Sequence, residues 1–573
     1  MINGADKKYS KYSPAPSFPI SGRTWPDKAI EKAPVWCSVD LRDGNQALVT
    51  PMGPDDKLSF FEQLCKIGFK QIEVASPASS EAEFEFVRSL IEGGTIPDDV
   101  TVQVITPAEG DAVEKAFEAL RGAKRAIVHL YSNISPEHRR IVAEKNLNGV
   151  KDLASSCAQL MAELAAGMPE TDITFEYSPE GFSATPVDES VEVCAAVMEA
   201  LGASPEKKVV IDLPATVESL PANVYADAVE LFCRKLPDRD SALISVHPHN
   251  DRGTAVACAE LALCAGAERV EGTLFGNGER TGNVDIVTLA LNLLSTGIDP
   301  ELDLSDLPGI RRFYESKTRM HVPERQPYSG LYAFMALSGA HQDAILKGLR
   351  YREERGEAKW DIPYLAIDPT DVGRRYDDLV KVNSQSGRNG AAFILETQFG
   401  FTLPRAMRPE FGELVQKKAE QSGAELDSQA IYDLFEETYI KINSPYRLAS
   451  YSFDDNTVNA GGSKVCFSGK LYYNDIEYDI SGSGNGPIDA FFNAISDLTI
   501  SRYHFVSYSE HAVSSGSDSR AAAYIQLEAP DGGSLFGVGL SHNIYLASIR
   551  GIISAINRGV ALRSVAQVPR RTF

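Results

Sequence analysis

Two histidines, His247 and His249, are the residues of this chain whose types and spacing point most directly to chemistry. The run Ala242–Val246 before them is short, β-branched and uncharged, which predicts a buried strand that ends at the histidines. Side chains two positions apart on a strand point to the same face, so both imidazoles converge on one place. Because neutral imidazole is the commonest metal ligand, the pair predicts half of a metal site rather than two ordinary core histidines.

Polar residues after other predicted strands complete a mixed nitrogen and oxygen ligand set. Asp43 follows the first strand, and Asn283 lies in a glycine-rich loop after the last one. With the two histidines, this set suits Zn, Mn, Mg or Co and leaves positions open for water and substrate. A metal beside Arg42 and the Thr216 hydroxyl suits an α-keto acid. The structural alternatives are an Arg42–Glu180 salt bridge and a helix-capping role for Thr216.

Eight short apolar runs, most of them followed by a helix-like stretch, predict a (β/α)8 barrel. The predicted strands are Val35–Val39, Gln71–Ala75, Thr101–Thr106, Arg125–Tyr131, Asp172–Ser178, Lys207–Leu213, Ala242–His247 and Arg269–Phe275. The clearest amphipathic segments between them are Pro54–Ile67, Glu81–Ile91, Ala108–Leu120, Lys145–Ala166, Ser190–Leu201 and Ala222–Lys235. An open dinucleotide-binding sheet is disfavoured, because no glycine fingerprint follows the first strand.

Changes in composition divide the 573 residues into four regions. The predicted boundaries are an extended arm at 1–34, the barrel at 35–330, helical linker subdomains at 331–443 and an α+β domain at 444–573. In the linker, Gly330–Lys347 and Pro369–Gln385 are the clearest predicted helices. At 573 residues the chain is too long for one hydrophobic core and should hold two to four domains.

The last domain contains a strand–strand–turn–helix unit twice. The predicted glycine turns are Gly482–Pro487 and Gly537–Gly539, which implies a pseudo-symmetric domain with two matched turns. The helix N-termini behind such turns can hold a carboxylate. The alternative is that the glycines only make tight connections.

Composition narrows the class of protein. The net charge of −23 argues against a nucleic-acid surface. No apolar stretch is long enough to span a bilayer, and the first residues carry no secretory pattern. Eight scattered cysteines without a CxxC pair indicate free thiols in a reducing compartment. We therefore expect a cytoplasmic enzyme with neither a membrane nor a nucleic acid as partner.

Several motifs, taken in order, resemble the 2-isopropylmalate synthases, a family of metal-dependent condensing barrels. They are Asp40–Gln46, Glu176–Glu180, His247–Asp251, Gly276–Asn283, Ser338–Asp343 and Asn383–Gly387. The resemblance covers nearly the whole chain. It implies condensation of acetyl-CoA with 2-oxoisovalerate, followed by thioester hydrolysis to 2-isopropylmalate and CoA, the entry step of leucine synthesis.

The resemblance also implies residue roles in the barrel. The ligands of a divalent ion (Mg, Mn or Zn) would be Asp43, His247, His249 and Asn283. Arg42 would polarise the keto group, and Thr216 would hold the carboxylate. The residues around the rest of the keto acid would be Ile105, His129, Tyr131 and Ser178. Glu279 and Asp251 would brace the site from behind.

Further implied roles concern the base and regulation. The base would be Glu180 or His341, the latter presented by the partner subunit of a homodimer. Leucine would act as a feedback inhibitor on the last domain, with Tyr376 relaying the signal. The implied leucine-site residues are Gly484, Asn485, Gly486 and Ile488. Asp489, on the same turn, is more polar than a leucine pocket requires.

Three alternatives stay open. Citramalate synthase would use pyruvate, and an apolar pocket discriminates one methylene by only about 1–3 kcal/mol. Homocitrate synthase would need a cation for a second carboxylate, which Ile105, Tyr131 and Ser178 do not offer. A catalytically inactive amino-acid sensor would lack a ligand or base, whereas every matched position is intact.

Overall fold

The computed structural model describes residues 15–566 except 17, 19, 337, 357–358, 376–386, 423–425, 457–463, 497–502, 515 and 517. The chain divides into two compact units, the first of residues 1–333 and 367–374 and the second of residues 334–366 and 375–573. Among the described residues, no helix is both long and apolar enough to cross a membrane.

The first unit is a closed barrel of eight parallel strands, which confirms the predicted fold class. The strands are β1 Val35–Ser38, β2 Gln71–Ala75, β3 Thr101–Pro107, β4 Arg125–Asn133, β5 Asp172–Glu180, β6 Val209–Ala215, β7 Ala242–Pro248 and β8 Arg269–Gly272. Each strand pairs with its neighbours in sequence, and β1 closes the barrel on β8 with Val35 opposite Arg269. The carboxyl ends of all eight strands therefore meet at one mouth.

Helices surround this barrel. They are Pro54–Ile67, Glu81–Glu92, Gly110–Ala119, Pro136–Ile141, Leu147–Ala166, Val187–Ala200, Ala222–Lys235, Ala255–Ala265, Ile286–Ser295 and Leu307–Thr318. Pro54–Ile67 has both predicted ends because Pro54 occupies its first turn and the left-handed Gly68 (φ 117°) ends it. Its apolar face, including Phe60 and Leu64, is buried.

Strand β8 is shorter than the predicted Arg269–Phe275. It ends at Gly272, and Phe275 has a left-handed backbone (φ 57°) inside a short 3-10 turn. The following loop folds back over the mouth, with Thr273 N donating to Val284 O and Asn283 N donating to Gly276 O. The loop thus returns Asn283 to the end of the barrel.

Charged side chains fill the barrel interior beneath the mouth. Arg269 is fully buried and pairs with Glu176 at 3.2 Å and Glu271 at 2.9 Å. It also donates to Gln103 Oε1 at 2.8 Å. We call Arg269, Glu176, Glu271 and Gln103 the ionic floor. Removing one of its charged members would leave an opposite buried charge under-compensated, at a cost of about 3–5 kcal/mol.

The second unit begins with helices Gly339–Arg355, Gly387–Phe399, Arg408–Ser422 and Ser428–Phe435. The predicted helix Gly330–Lys347 was wrong in its position, because the helix begins only at Gly339, after Ser338. The second predicted helix, Pro369–Gln385, begins as a short 3-10 helix at Pro369–Val372, which belongs to the first unit. Residues 376–386 lie outside the described residues.

Two antiparallel three-stranded sheets complete the second unit, each followed by a helix. Their strands are β9 Tyr446–Asn456, β10 Lys464–Tyr473, β11 Ile476–Gly484, β12 His504–Ala512, β13 Ala521–Glu528 and β14 Ser534–Ser541. The sheet orders are β11-β10-β9 and β12-β13-β14, and the helices are Pro487–Ile495 and Ile544–Ala566. The predicted duplication is present, with one further strand at the start of each repeat.

The glycines of the repeat serve helix packing. A Cβ on Gly484 would lie 2.5 Å from the backbone N of Ala490, and one on Gly539 would lie 1.8 Å from the backbone O of Ala547. Gly537–Gly539 was wrongly predicted as a turn, since both glycines lie inside β14. The predicted turn Gly482–Pro487 was too long, since Gly482 and Gly484 belong to β11 and the helix begins at Pro487. Lacking side chains, they let each helix pack directly on its own strand.

Candidate active site

The predicted site residues of the barrel converge on one cavity of about 280 Å³ at the carboxyl ends of the strands. Those in its lining are Arg42, Asp43, Ile105, His129, Tyr131, Ser178, Glu180, Thr216, His247, His249 and Glu279. Asn283 and Asp251 lie directly behind them, in contact with Asp43 and with Arg280, respectively.

The four predicted ligand residues form a compact donor cluster. Asp43 Oδ2 lies 3.4 Å from His247 Nε2 and 4.0 Å from His249 Nε2. Asn283 Oδ1 lies 3.0 Å from His247 Nε2, and its amide nitrogen donates to Asp43 Oδ2 at 2.7 Å. One carboxylate oxygen and two imidazole nitrogens lie within 4.8 Å of one another, which fits a divalent cation.

The charge states of the donors favour the same interpretation. Burial and the neighbouring His247 lower the pKa of His249 to about 4, so its imidazole is neutral at physiological pH. Burial raises the pKa of Asp43, but Arg42 and His247 outweigh it and hold that pKa well below its usual range. The Nδ1 atom of His249 is buried without a hydrogen-bond partner among the described residues.

A buried carboxylate orients the other histidine. His247 Nδ1 contacts Glu271 Oε2 at 2.8 Å, which directs Nε2 towards Asp43 and Asn283. Burial lowers the pKa of His247, but its hydrogen bonds to Asp43 and Glu271 raise it well above the ordinary value. A cation at Nε2 would displace that proton.

Arg42 does not pair with Glu180, so the structural alternative for Arg42 was wrong. Its Nε binds Glu73, and its Nη1 donates to Asp43 Oδ1 at 3.0 Å. Nη2 has no hydrogen-bond partner among the described residues, and Arg42 lines the cavity. One guanidinium edge is therefore fixed and the remaining nitrogen is available to a ligand.

Thr216 does not cap a helix, because the next helix begins only at Ala222, after Pro221. Instead, its hydroxyl accepts a hydrogen bond from Gly181 N at 2.9 Å. Gly181 has φ 80°, and a Cβ there would lie 2.9 Å from Ser135, so this turn requires glycine. It joins Thr216 to Glu180, whose pKa burial raises.

A chain of hydrogen bonds crosses another wall of the cavity. His129 contacts Glu73 through Nδ1 at 2.8 Å and Ser178 through Nε2 at 2.7 Å, and Ser178 donates to Asp212 at 3.0 Å. Burial lowers the pKa of His129, but Glu176 and Glu73 raise it to about 9. These carboxylates favour the protonated form of His129, and its imidazole holds Ser178.

The remaining predicted residues belong to the second unit. His341 lies in the first turn of Gly339–Arg355, with its ring stacked on Tyr364 at 3.9 Å. Asp489 accepts a hydrogen bond from Asn485 N at 2.8 Å, so its carboxylate turns back onto its own loop. Gly484 ends β11, and Gly486 and Ile488 flank Pro487. Tyr376 lies outside the described residues.

Sequence reasoning missed several functional side chains. Glu271, Asp212 and Arg280 were not predicted as site residues, although the last two line the cavity. Glu73, which binds Arg42 and His129, was not predicted as a site residue either. A signal was available for Glu271, since it lies two residues after Arg269 and side chains two apart share a strand face.

Family profiles match successive parts of the chain. The HMGL-like profile matches residues 33–313, "Alpha-isopropylmalate synthase, post-catalytic domain-like" matches 332–396, and "LeuA allosteric (dimerisation) domain" matches 425–560.

Curated relatives match over almost the full length. The 2-isopropylmalate synthase of Clostridium acetobutylicum is 49% identical over 553 residues, covering 96% of this chain and 99% of the relative. That of Pseudomonas putida (strain W619) is 47% identical, covering 98% of each. A solved HMG-CoA lyase from Bacillus subtilis is 19% identical, with a TM-score of 0.42, covering 52% of this chain and 97% of that chain.

Proposed function

The chain belongs to the 2-isopropylmalate synthase family, and we propose that it condenses acetyl-CoA with 2-oxoisovalerate and releases 2-isopropylmalate and CoA. The observation that carries this proposal is the 49% identity over 96% of the chain and 99% of a relative with that name. The product opens the leucine-specific branch of amino-acid synthesis. The donor cluster at the barrel mouth supports the proposal, because an α-keto acid offers two oxygens to such a centre.

Asp43, His247, His249 and Asn283 would hold the divalent ion, Mg, Mn or Zn. Bound there, the ion supplies Lewis-acid stabilisation of negative charge on the keto oxygen. Arg42 adds a fixed positive charge beside it, because Glu73 and Asp43 hold the guanidinium on two nitrogens.

Thr216 would hold the carboxylate of the keto acid. Its oxygen already accepts from Gly181 N, so the hydroxyl proton is available to a carboxylate oxygen in the cavity. The rest of the keto acid would lie among the neighbouring lining residues, which are Ile105, His129, Tyr131 and Ser178. Glu279 and Asp251 would support the loops behind them.

The condensation needs a base for the weakly acidic acetyl methyl group. We assign this proton transfer to Glu180, because burial raises its pKa and makes it a stronger base than an exposed glutamate. The resulting carbon forms a bond to C2 of the keto acid, whose oxygen takes up a proton. Water then adds to the thioester carbonyl, and CoA leaves as the thiol. His341, contributed by the partner subunit of a homodimer, is the other candidate base.

The test is release of free thiol from acetyl-CoA with a panel of keto acids, with and without a chelator. We expect the highest turnover with 2-oxoisovalerate, at least about 30-fold above pyruvate, because the two acids differ by two methylene groups that are worth about 1–3 kcal/mol each. We expect this turnover to be lost with the chelator. A preference for pyruvate would contradict the substrate assignment and favour citramalate synthesis. A preference for 2-oxoglutarate would favour homocitrate synthesis.

We further propose that the second unit makes the dimer and binds leucine where β11 passes into the helix Pro487–Ile495, at Gly484, Asn485, Gly486 and Ile488. The matched profile named for an allosteric dimerisation domain supports both functions. In the full-length chain, Ile488→Ala should raise the leucine concentration needed for half inhibition. The control is Ile476→Ala, which removes an exposed isoleucine of the same repeat. Equal inhibition of all three proteins would contradict the assignment.

We also infer a cytoplasmic location, because all eight cysteines are free thiols.

A further inference from the structure

Arg280 combines backbone strain with a two-point ion pair beside the cavity. Its φ is 58°, in the left-handed region that long side chains rarely adopt. Its Nε donates to Asp251 Oδ1 at 2.7 Å, and its Nη2 lies 3.1 Å from Oδ2 of the same carboxylate. Such strain persists where the surrounding contacts determine the conformation. Here the guanidinium–carboxylate fork provides those contacts.

The same guanidinium reaches a residue of the proposed substrate site. Nη2 of Arg280 donates to the backbone oxygen of Thr216 at 2.5 Å. Asp251 Oδ2 also accepts from Glu218 N at 2.9 Å. One side chain therefore joins the loops that follow β6, β7 and β8. Thr216 is held from two sides, by Gly181 N on its hydroxyl and by Arg280 on its carbonyl.

The charge of Arg280 also matters for an anionic substrate. The cavity lining includes the carboxylates of Asp43, Glu180, Asp212 and Glu279. The lining has two arginines, and both are paired with carboxylates: Arg42 with Glu73 and Asp43, and Arg280 with Asp251. A chain with a net charge of −23 needs local cations to admit a keto acid.

We propose that Arg280, docked on Asp251, is a positioning residue for the keto-acid carboxylate and acts through Thr216. It fixes the Thr216 backbone so that the hydroxyl proton faces the cavity. The inference rests on the proposed function, because that function supplies the role of Thr216.

The experiment compares Arg280→Gln, Arg280→Lys and Asp251→Asn in the full-length chain. The matched control is Arg239→Gln, because Arg239 pairs with Glu268 at 2.8 Å and donates to backbone oxygens at the opposite end of the barrel. The measurements are kcat, KM for 2-oxoisovalerate, KM for acetyl-CoA, and the affinity for Mn²⁺ by calorimetry.

We expect Arg280→Gln to raise KM for 2-oxoisovalerate at least tenfold while KM for acetyl-CoA and Mn²⁺ affinity stay within twofold. Lysine keeps the charge but not the fork, so Arg280→Lys should recover only part of the loss. The double variant Arg280→Gln/Asp251→Asn should be no worse than the poorer single variant, because the two residues act as a pair. Arg239→Gln should leave all four values unchanged.

Two results would overturn the inference. One is a KM for 2-oxoisovalerate within twofold of the parent in both Arg280 variants. The other is a parallel loss of Mn²⁺ affinity, which would show a structural role. If Arg280→Gln does not fold, Arg280→Lys decides by the same criteria. The parent enzyme's own turnover with 2-oxoisovalerate tests the proposed function separately.

Discussion

Replacing Glu271 by glutamine should weaken Mn²⁺ binding by about 10–100-fold, or about 1.4–2.7 kcal/mol. The two oxygens of Glu271 serve different donors. Oε1 accepts a hydrogen bond from Gln103 at 2.9 Å and pairs with Arg269 at 2.9 Å, whereas Oε2 lies 2.8 Å from His247 Nδ1. All three contacts are buried, so each donor must keep an acceptor.

Glutamine has only one acceptor oxygen. That oxygen will stay with Gln103 and the cationic Arg269, the two donors that Oε1 serves in the parent. The new amide nitrogen then faces Nδ1 of His247, which must become an acceptor. The imidazole proton moves to Nε2, the atom directed at Asp43 and Asn283. A nitrogen that carries a proton cannot ligate, so the variant must give up a favourable hydrogen bond before it can bind the cation.

The assay is calorimetric titration of the metal-free, full-length chain with Mn²⁺, alongside urea unfolding. The control, Glu268→Gln, alters a glutamate that is 44% exposed and pairs with Arg239. Its affinity for Mn²⁺ should match the parent. A Glu271→Gln variant that remains folded and binds Mn²⁺ within twofold of the parent would show that Glu271 does not orient His247 for the cation.

Three further predictions concern the base, its pH dependence and the glycine repeat. Asp43→Ala should abolish turnover. If His341 rather than Glu180 is the base, His341→Ala should abolish turnover too, and co-expression of the two variants should restore about a quarter of the parent activity in hybrid dimers. Turnover retained by His341→Ala would support Glu180, and no recovery on co-expression would contradict a base contributed by the partner subunit. Burial raises the pKa of Glu180, so kcat should fall as the pH is lowered through a pKa that lies above that of an ordinary glutamate. A pH profile of kcat whose acid side gives the ordinary glutamate pKa would argue against Glu180 as the base. Gly539→Ala places a Cβ 1.8 Å from a helix carbonyl and should destabilise the second unit by at least about 1–3 kcal/mol in thermal unfolding. The control is Gly53→Ala, whose Cβ meets nothing within 4 Å and should leave the stability unchanged. Equal melting temperatures of the two variants would show that Gly539 is not needed for helix packing.

The barrel could be predicted from sequence because its strands are buried on both faces. Runs such as Val209–Ala215 are therefore uniformly apolar at their start and recur at regular spacing. The positions at which the strands end could be predicted less well. Arg269–Gly272 was predicted three residues too long, because the turn that ends it contains Leu274 and Phe275, which continue the apolar pattern.

The first strand of each C-terminal repeat could not be predicted in the same way. His504–Ala512 is exposed along most of its length, so it carries no alternation between apolar and polar residues. It is an edge strand of its sheet. The paired glycines were detected but were assigned to turns, since their reason, close helix packing, depends on residues more than five positions away.

The site residues that could be predicted are those whose side chains lie at strand ends. His247 and Asp43 could be placed because each follows an apolar run and faces the mouth. Glu271 and Asp212 could not, because an isolated acid within a strand is equally typical of a solvent-exposed face. Only closure of the barrel turns such residues inward and brings opposite charges together.

The ionic floor bears on how such a mouth could be transferred to another protein. Grafting the donor cluster alone onto a barrel with an apolar interior would leave His247 without the carboxylate that orients it. Glu271 in turn depends on Arg269, and Arg269 on Glu176. Natural variation and protein design must therefore change the ionic floor and the donor cluster together. The residues deep in the barrel are inherited with the site that they support.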